Sequence, residues 1–128
     1  MQIKFVSLLV EDQQKALDFY TGVLGFQPCA DIPMGEHRWL TVTSPDGLEG
    51  LELVLEPMAF PPSRDYQKAL FAAGIPATAL MTRDIAADFA RLSAAGVVFR
   101  GEPAAMGPVI VVRFEDGCGN LINLVQLS

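Results

Sequence analysis

The sequence predicts an α+β fold made of two tandem βαβββ modules, and three observations carry that prediction. Each half holds one helix-like apolar stripe opened by an aspartate and closed by a glycine, and the two aspartates, Asp12 and Asp84, stand 72 positions apart. Stretches rich in β-formers fall in the same order around both stripes. An Asp-Gly turn also precedes the last stretch of each half: Asp46-Gly47 before Leu51-Glu52-Leu53-Val54, and Asp116-Gly117 before Ile122-Asn123-Leu124-Val125. Self-similarity on this scale marks a duplicated unit.

Residues 3–10 read as a strand that runs into the acidic pair Glu11-Asp12. Asp12 can accept hydrogen bonds from the unpaired amides of a first helical turn. Ala16, Phe19, Tyr20 and Val23 then recur at helical spacing and give one apolar stripe. Gly25 stops the helix. Three strands follow at 29–32, 38–42 and 51–55, separated by Pro33-Met34-Gly35 and by the turn Ser44-Pro45-Asp46-Gly47. This first module covers about residues 1–56. Pro57, Pro61, Pro62 and Pro76 frame a linker or arm at about 57–75, with one short helix over 64–73 that ends at Gly74. The second module, about 76–128, repeats the pattern. It has a strand at 77–82, an Asp84 cap, a stripe of Ile85, Phe89 and Leu92, a stop at Gly96, and strands at 97–100, 109–114 and 121–127.

Composition limits the possible functions. At 128 residues, 51% hydrophobic and 19% charged, the chain reads as one globular domain able to bury a core without disulfide or metal staples. Its apolar runs fall short of the roughly 20 residues that span a bilayer, and its first residues lack the layout of a secretory signal. A cytoplasmic protein without a membrane partner is the expectation. Cys29 and Cys118 lie far apart and form no Cys-x-x-Cys pair, so reduced thiols are expected, with Cys118 exposed in its Gly-rich turn. A net charge of −6 opposes binding to a phosphate backbone, and nucleic acid is not an expected partner.

Alternation along the strands sorts residues onto two faces. Val6, Leu8 and Val10 with Leu51, Leu53 and Leu55, and with Leu40 and Val42, form the face beneath the helix. Phe5, Ser7, His37, Trp39, Thr41 and Glu52 share the other, together with Val54 and Glu56. Mixed aromatic and polar lining with a carboxylate suits a small-molecule cleft. Periodicity leaves a second use open: this face can pack against the other half or a partner chain. Trp39 is suited to stacking a planar ligand or to core or interface packing, and Met34, Met58, Met81 and Met106 to lending plasticity to an apolar cavity or, more commonly for this residue type, to filling the core. Glu52 is a candidate general base if burial raises its proton affinity, or the partner of Arg38 or Arg113 in an ion pair. His37 is a candidate acid or base, or a solvated residue at a strand start.

Asp12 followed by Ala16-Leu17-Asp18-Phe19-Tyr20-Thr21-Gly22-Val23-Leu24-Gly25-Phe26 resembles the D-x-x-x-A-L-x-F-Y-x-x-x-L-G-F signature of the glyoxalase/bleomycin-resistance (vicinal oxygen chelate) superfamily. Phe114-Glu115-Asp116-Gly117-Cys118-Gly119-Asn120-Leu121-Ile122-Asn123-Leu124-Val125-Gln126 resembles its closing F-x-D-x-x-G-N-x-I-x-L-V-Q. The resemblance implies two curled mixed sheets around a cleft, often at a homodimer interface. It also implies, for metal-dependent members, a divalent ion held by His and Glu on the first and last strands of the halves. Carried onto this chain, those positions fall on Phe5, Ala77, Glu52 and Asn123. Only Glu52 is a good ligand, and His37 is the sole imidazole.

The reading that follows is a glyoxalase/bleomycin-resistance-like homodimer. It binds a small hydrophobic or aromatic molecule through Phe5, Ser7, His37, Trp39, Thr41, Glu52, Met81 and Asn123, without a metal or other cofactor. A divalent ion would have to rest on His37, Glu52 and a symmetry-related chain. Two enzymatic alternatives stay open: a metal-dependent lyase, isomerase or dioxygenase, and a metal-free enzyme with Glu52 or His37 as base.

Overall fold

A computed structural model of the chain describes residues 1–127. Two compact units divide it, one of residues 1–65 and one from Tyr66 onward. The first contains β1 (Phe5–Leu9), α1 (Gln13–Asp18), β2 (Gln27–Met34), β3 (His37–Thr43) and β4 (Glu52–Glu56). Helix α2 (Pro61–Ala72) crosses the boundary between the units. The second contains β5 (Thr78–Met81), α3 (Ile85–Ala94), β6 (Ala104–Met106), β7 (Val109–Glu115) and β8 (Leu121–Leu127).

Each unit holds a four-stranded mixed sheet, ordered β1-β4-β3-β2 in the first and β5-β8-β7-β6 in the second. In both, the first strand runs parallel to the last and every other neighbour is antiparallel. The parallel pair needs a crossover, and the helix that provides it covers one face of the sheet. No helix among the described residues is long and apolar enough to cross a membrane.

The caps that open the two helices match. Asp12 Oδ1 accepts from the Lys15 amide at 3.0 Å, and Asp84 Oδ1 from the Ala87 amide at 3.0 Å. Gly25 and Gly96 leave the helices with φ of 84° and 91°, a region costly to any side chain with a Cβ. Between α1 and Gly25, residues Phe19–Val23 widen into a π-helical turn that the apolar stripe did not announce. Ala16 and Tyr20 are buried, as are Leu8, Val10, Leu40, Val42 and Leu55 on the helix face.

Several local expectations need correction. Val6 is exposed, because β1 is the edge strand of its sheet and α1 packs mainly against β3 and β4. Val54, assigned to the open face, is buried nearly as completely as Leu55, while Leu51 and Leu53, assigned to the buried face, are only half-buried. Residues 97–100 form no strand; Phe99 makes a single bridge to Phe114, and the three-residue β6 takes the edge instead. Backbone hydrogen bonds flank that bridge, Arg100 N–H to the Arg113 carbonyl and Glu115 N–H to the Val98 carbonyl, both at 2.8 Å, and Phe99 meets Phe89 edge-on at 4.6 Å and Phe114 at 5.8 Å. Helix α2 starts at Pro61 rather than 64, since proline is tolerated in a first turn, where amide hydrogens have no helical partner. Met34, Met81 and Met106 are exposed rather than in the core.

Cys118 is buried, not exposed, because its turn folds inward around Asp116. Asp116 Oδ1 accepts from the amides of Cys118 (2.8 Å) and Asn120 (3.1 Å), and Oδ2 from Asn120 Nδ2 (2.9 Å). Gln67 of α2 then donates to Asn120 Oδ1 and to the Cys118 carbonyl. Helix α2 is tied to the closing turn by this buried amide.

These contacts set expected stabilities. Asp12→Ala and Asp84→Ala each lower stability by about 1 kcal/mol through loss of a cap. Asp116→Ala costs more, about 3 kcal/mol, because it strands three donors in the interior. Urea unfolding midpoints of the three variants check the order.

Candidate functional site

The face of the first sheet opposite α1 gathers most of the residues that alternation had assigned to it. Register places Phe5 opposite Glu52, and Ser7, Val54 and Thr41 in one row across β1, β4 and β3. Side chains in a row share a face, so Phe5, Ser7, Thr41, Glu52 and Val54 point the same way. Trp39 joins them, two residues before Thr41.

Phe5 and Trp39 belong to rows on either side of Val54, yet their rings meet edge-on with centroids 5.4 Å apart. The side chains must lean together over a sheet that curls toward this face. The intervening row lies beneath them, which accounts for the burial of Val54 and Thr41 on a side that carries no helix. Phe5 remains 49% exposed and Trp39 half-buried, so the pair still offers aromatic area outward.

Glu52 is 8% exposed, and its carboxylate is satisfied from three directions. Thr41 Oγ1 donates to Oε1 at 2.6 Å, Lys4 Nζ lies 3.1 Å from Oε2, and the Cys29 thiol also donates. Cys29 comes within reach through a β-bulge. Pro28 pairs with Val42 and Asp31 with Leu40, so Cys29 and Ala30 together oppose the single Thr41. The Ala30 amide, displaced from the ladder, donates to Thr41 Oγ1 at 3.0 Å and leaves its hydroxyl hydrogen for Glu52.

The hydrogen bond from Thr41, then that from Lys4, hold the Glu52 carboxyl below the usual glutamate range against the opposing effect of burial. The expectation of a raised proton affinity is therefore reversed, and so is the choice of partner. Arg38 engages Asp31 through two nitrogens at 2.9 and 2.7 Å, Arg113 donates to the Gly74 carbonyl at 2.6 Å, and Lys4, adjacent to Phe5 in sequence, takes the place assigned to them. Lys4 Nζ also stands 5.8 Å from the Phe5 ring centroid and lines a groove of about 510 Å³ with Ile3, Leu48 and Leu51.

At the other end of the face, β3 and β4 part. Continuing their register sets Trp39 level with Glu56, but the Gln13 side chain enters the ladder there. Its Nε2 donates to the carbonyls of Arg38 (2.7 Å) and Leu55 (2.9 Å), and its Oε1 accepts from the Arg38 amide (3.0 Å). Ser7 Oγ donates to Glu56 Oε1 at 3.3 Å.

Not every candidate joins this constellation. His37 pairs with Met34 at the start of β3, six residues from the level of Glu52, about 20 Å along the strand. The two proposed bases therefore cannot share one reacting atom. Met81 and Asn123 belong to the second sheet, where Asn123 shares a row with Ala79 and Arg113. That row repeats Ser7–Val54–Thr41, so Asn123 matches Val54 by register, one row from the position of Glu52. Lys4 and the Cys29 bulge were missed by sequence reasoning; the only signal was a cation next to Phe5.

The donor set does not fit a chelated divalent ion. Phe5 and Ala77 have no lone pairs to give, and Glu52 is committed to Thr41 and Lys4. Among the described residues no three His, Cys, Asp or Glu side chains come together to hold one.

Comparison with known proteins bears on this arrangement. The model of the Glyoxalase/Bleomycin resistance protein/Dioxygenase superfamily matches residues 2–124. Uncharacterized protein YurT of Bacillus subtilis (strain 168) is 48% identical over 126 residues, 98% of this chain and 99% of its own. The crystal structure of UcmS2 superposes with a TM-score of 0.81 at 30% identity, over 98% of this chain and 97% of that one. That of TnmS3, an antibiotic binding protein from Streptomyces sp. CB03234, gives 0.77 at 33% identity over 100% and 97%.

A pH dependence follows from Glu52. A carboxyl with a lowered folded-state pKa stabilises the fold fully above its unfolded value, and that contribution is lost as pH falls through the folded value. The stability difference between the wild type and Glu52→Gln is therefore largest near neutrality. It shrinks from the ordinary carboxylate range downward, as urea titrations at successive pH values will register.

Proposed function

The chain belongs to the glyoxalase/bleomycin resistance protein/dioxygenase superfamily, and from that premise we propose that it binds a small hydrophobic or aromatic molecule, without a transition metal, on the non-helix face of its first sheet. The observation that carries this reading is the Phe5–Trp39 pair, edge-on at 5.4 Å and still partly open to solvent. Edge-to-face aromatics held against a curled sheet present a shaped, weakly hydrated surface, and rigid aromatic contact area binds at little entropic cost. Polar groups around the pair fix orientation: the Ser7 hydroxyl, and the Lys4 ammonium, which keeps donors beyond the one directed at Glu52. The resemblance to TnmS3, an antibiotic binding protein, supports the same reading.

Chemistry is the weaker alternative. A general base needs a proton affinity near the working pH, whereas Thr41 and Lys4 hold Glu52 ionised well below it. The metal-dependent lyase, isomerase or dioxygenase needs a donor set that Phe5 and Ala77 do not supply.

Binding is testable with the protein's single tryptophan as reporter. A panel of planar aromatic antibiotics and metabolites is expected to contain compounds that quench Trp39 fluorescence and raise the unfolding temperature. Phe5→Ala should weaken such binding roughly tenfold while keeping the reporter, and a chelator should leave affinity unchanged. A panel with neither quenching nor thermal shift sinks the proposal.

A further inference from the structure

We propose that the molecule bound on this face carries a protonated amine and that Glu56 is the residue that selects it. The inference rests on the binding reading above and adds the ligand's charge to it.

Three carboxylate-bearing or apolar positions of β4, Glu52, Val54 and Glu56, alternate onto the face that holds Phe5 and Trp39. The charge of Glu52 is balanced by Lys4 at 3.1 Å. That of Glu56 is not. Its Oε1 accepts one long hydrogen bond, 3.3 Å, from the neutral Ser7 hydroxyl, and among the described residues no salt bridge reaches it.

The neighbouring donors are already committed. Arg38 is spent on Asp31 and Gln14, and the Gln13 amide on the carbonyls of Arg38 and Leu55. Glu56 is half-buried, so water screens it only in part. A half-desolvated carboxylate without a counter-ion gains from any cation brought beside it.

The surroundings favour the same sign. Lys4 already stands over the Phe5 ring and offsets Glu52 at that end of the face, whereas Trp39, level with Glu56, offers a ring whose quadrupole attracts a further ammonium. The chain as a whole carries a net charge of −6, which concentrates cations near its surface. A carboxylate or phosphate beside Trp39 would instead meet the unbalanced Glu56. The chemical class that fits is an aromatic molecule bearing an amine that is protonated at neutral pH: the ring against Phe5 and Trp39, the ammonium on Glu56.

The test is calorimetric titration of the protein with two probes that share a ring and differ in charge, 1-naphthalenemethylamine and 1-naphthalenemethanol. The amine should bind the wild type roughly tenfold more tightly at low ionic strength. Raising salt to about 0.5 M should narrow that margin in the wild type without need of any variant. Glu56→Gln should bind the two probes alike. Equal affinity of both probes for the wild type overturns the inference and leaves the binding reading standing. Failure of both to bind overturns the inference, and the antibiotic and metabolite panel then decides the binding reading. A preference for the amine that survives unchanged in a folded Glu56→Gln protein overturns the role of Glu56.

Discussion

The constraint on which the first unit turns is a buried carboxylate. A charge removed from water is tolerated only where hydrogen bonds and an opposite charge replace its hydration. Glu52 meets that condition through Thr41 from the neighbouring strand, Lys4 from the start of the edge strand, and Cys29 from a bulge in the far strand. Three segments are thereby referred to one atom group. The bulge is part of the same solution, since it frees the Ala30 amide to bind Thr41 and so turns the Thr41 hydroxyl hydrogen toward Glu52. With Glu52 held, Phe5 is fixed opposite it by the strand register, and the aromatic pair with Trp39 has a defined footing.

The second unit shows what the same topology looks like without that carboxylate. Its sheet order and its helix cap repeat the first, and its central row, Ala79–Asn123–Arg113, is the counterpart of Ser7–Val54–Thr41. No aromatic pair closes over it among the described contacts. Arg113 is turned to the Gly74 carbonyl at the end of α2, and Met81 stays exposed. Burial in this unit is concentrated elsewhere, in the Asp116 turn with Gln67 and in the Phe89–Phe99–Phe114 chain. The two units share one backbone solution, and their open faces differ. This is physically economical, because helix-side packing and caps determine whether a module folds, while the opposite face is free to vary with what it must contact.

That divergence bears on the proposed binding. A carboxylate held ionised by two close donors is a fixed charge rather than a proton acceptor, so the electrostatics of the face are set before any ligand arrives. Preorganisation of this kind lowers the cost of binding, since the aromatic rings and their polar neighbours are already ordered by contacts within the sheet. The parting of β3 and β4 around Gln13 adds a break in the ladder at the level of Trp39 and Glu56, where side chains rather than backbone define the surface.

The features determined by the sequence alone were those whose signal lies within a few residues. Asp12 and Asp84 as caps, Gly25 and Gly96 as stops, the turn at Asp46-Gly47 and the strand over 121–127 were each legible, because capping, positive φ and alternation are local properties of the chain. Alternation likewise assigned Phe5, Ser7, Trp39, Thr41 and Glu52 to one face. What only the tertiary structure decided involves partners distant in sequence. Examples are Lys4 rather than Arg38 or Arg113 beside Glu52, the bulge that brings Cys29 to the same carboxylate, Val54 buried on a side that carries no helix, Cys118 drawn inward by Asp116 and Gln67, and residues 97–100 held by a single bridge and aromatic contact instead of a full strand. Each of these depends on how far a sheet curls and which strands become neighbours. A one-residue change of register or a single bulge re-aims side chains across strands without altering the local pattern that a sequence displays.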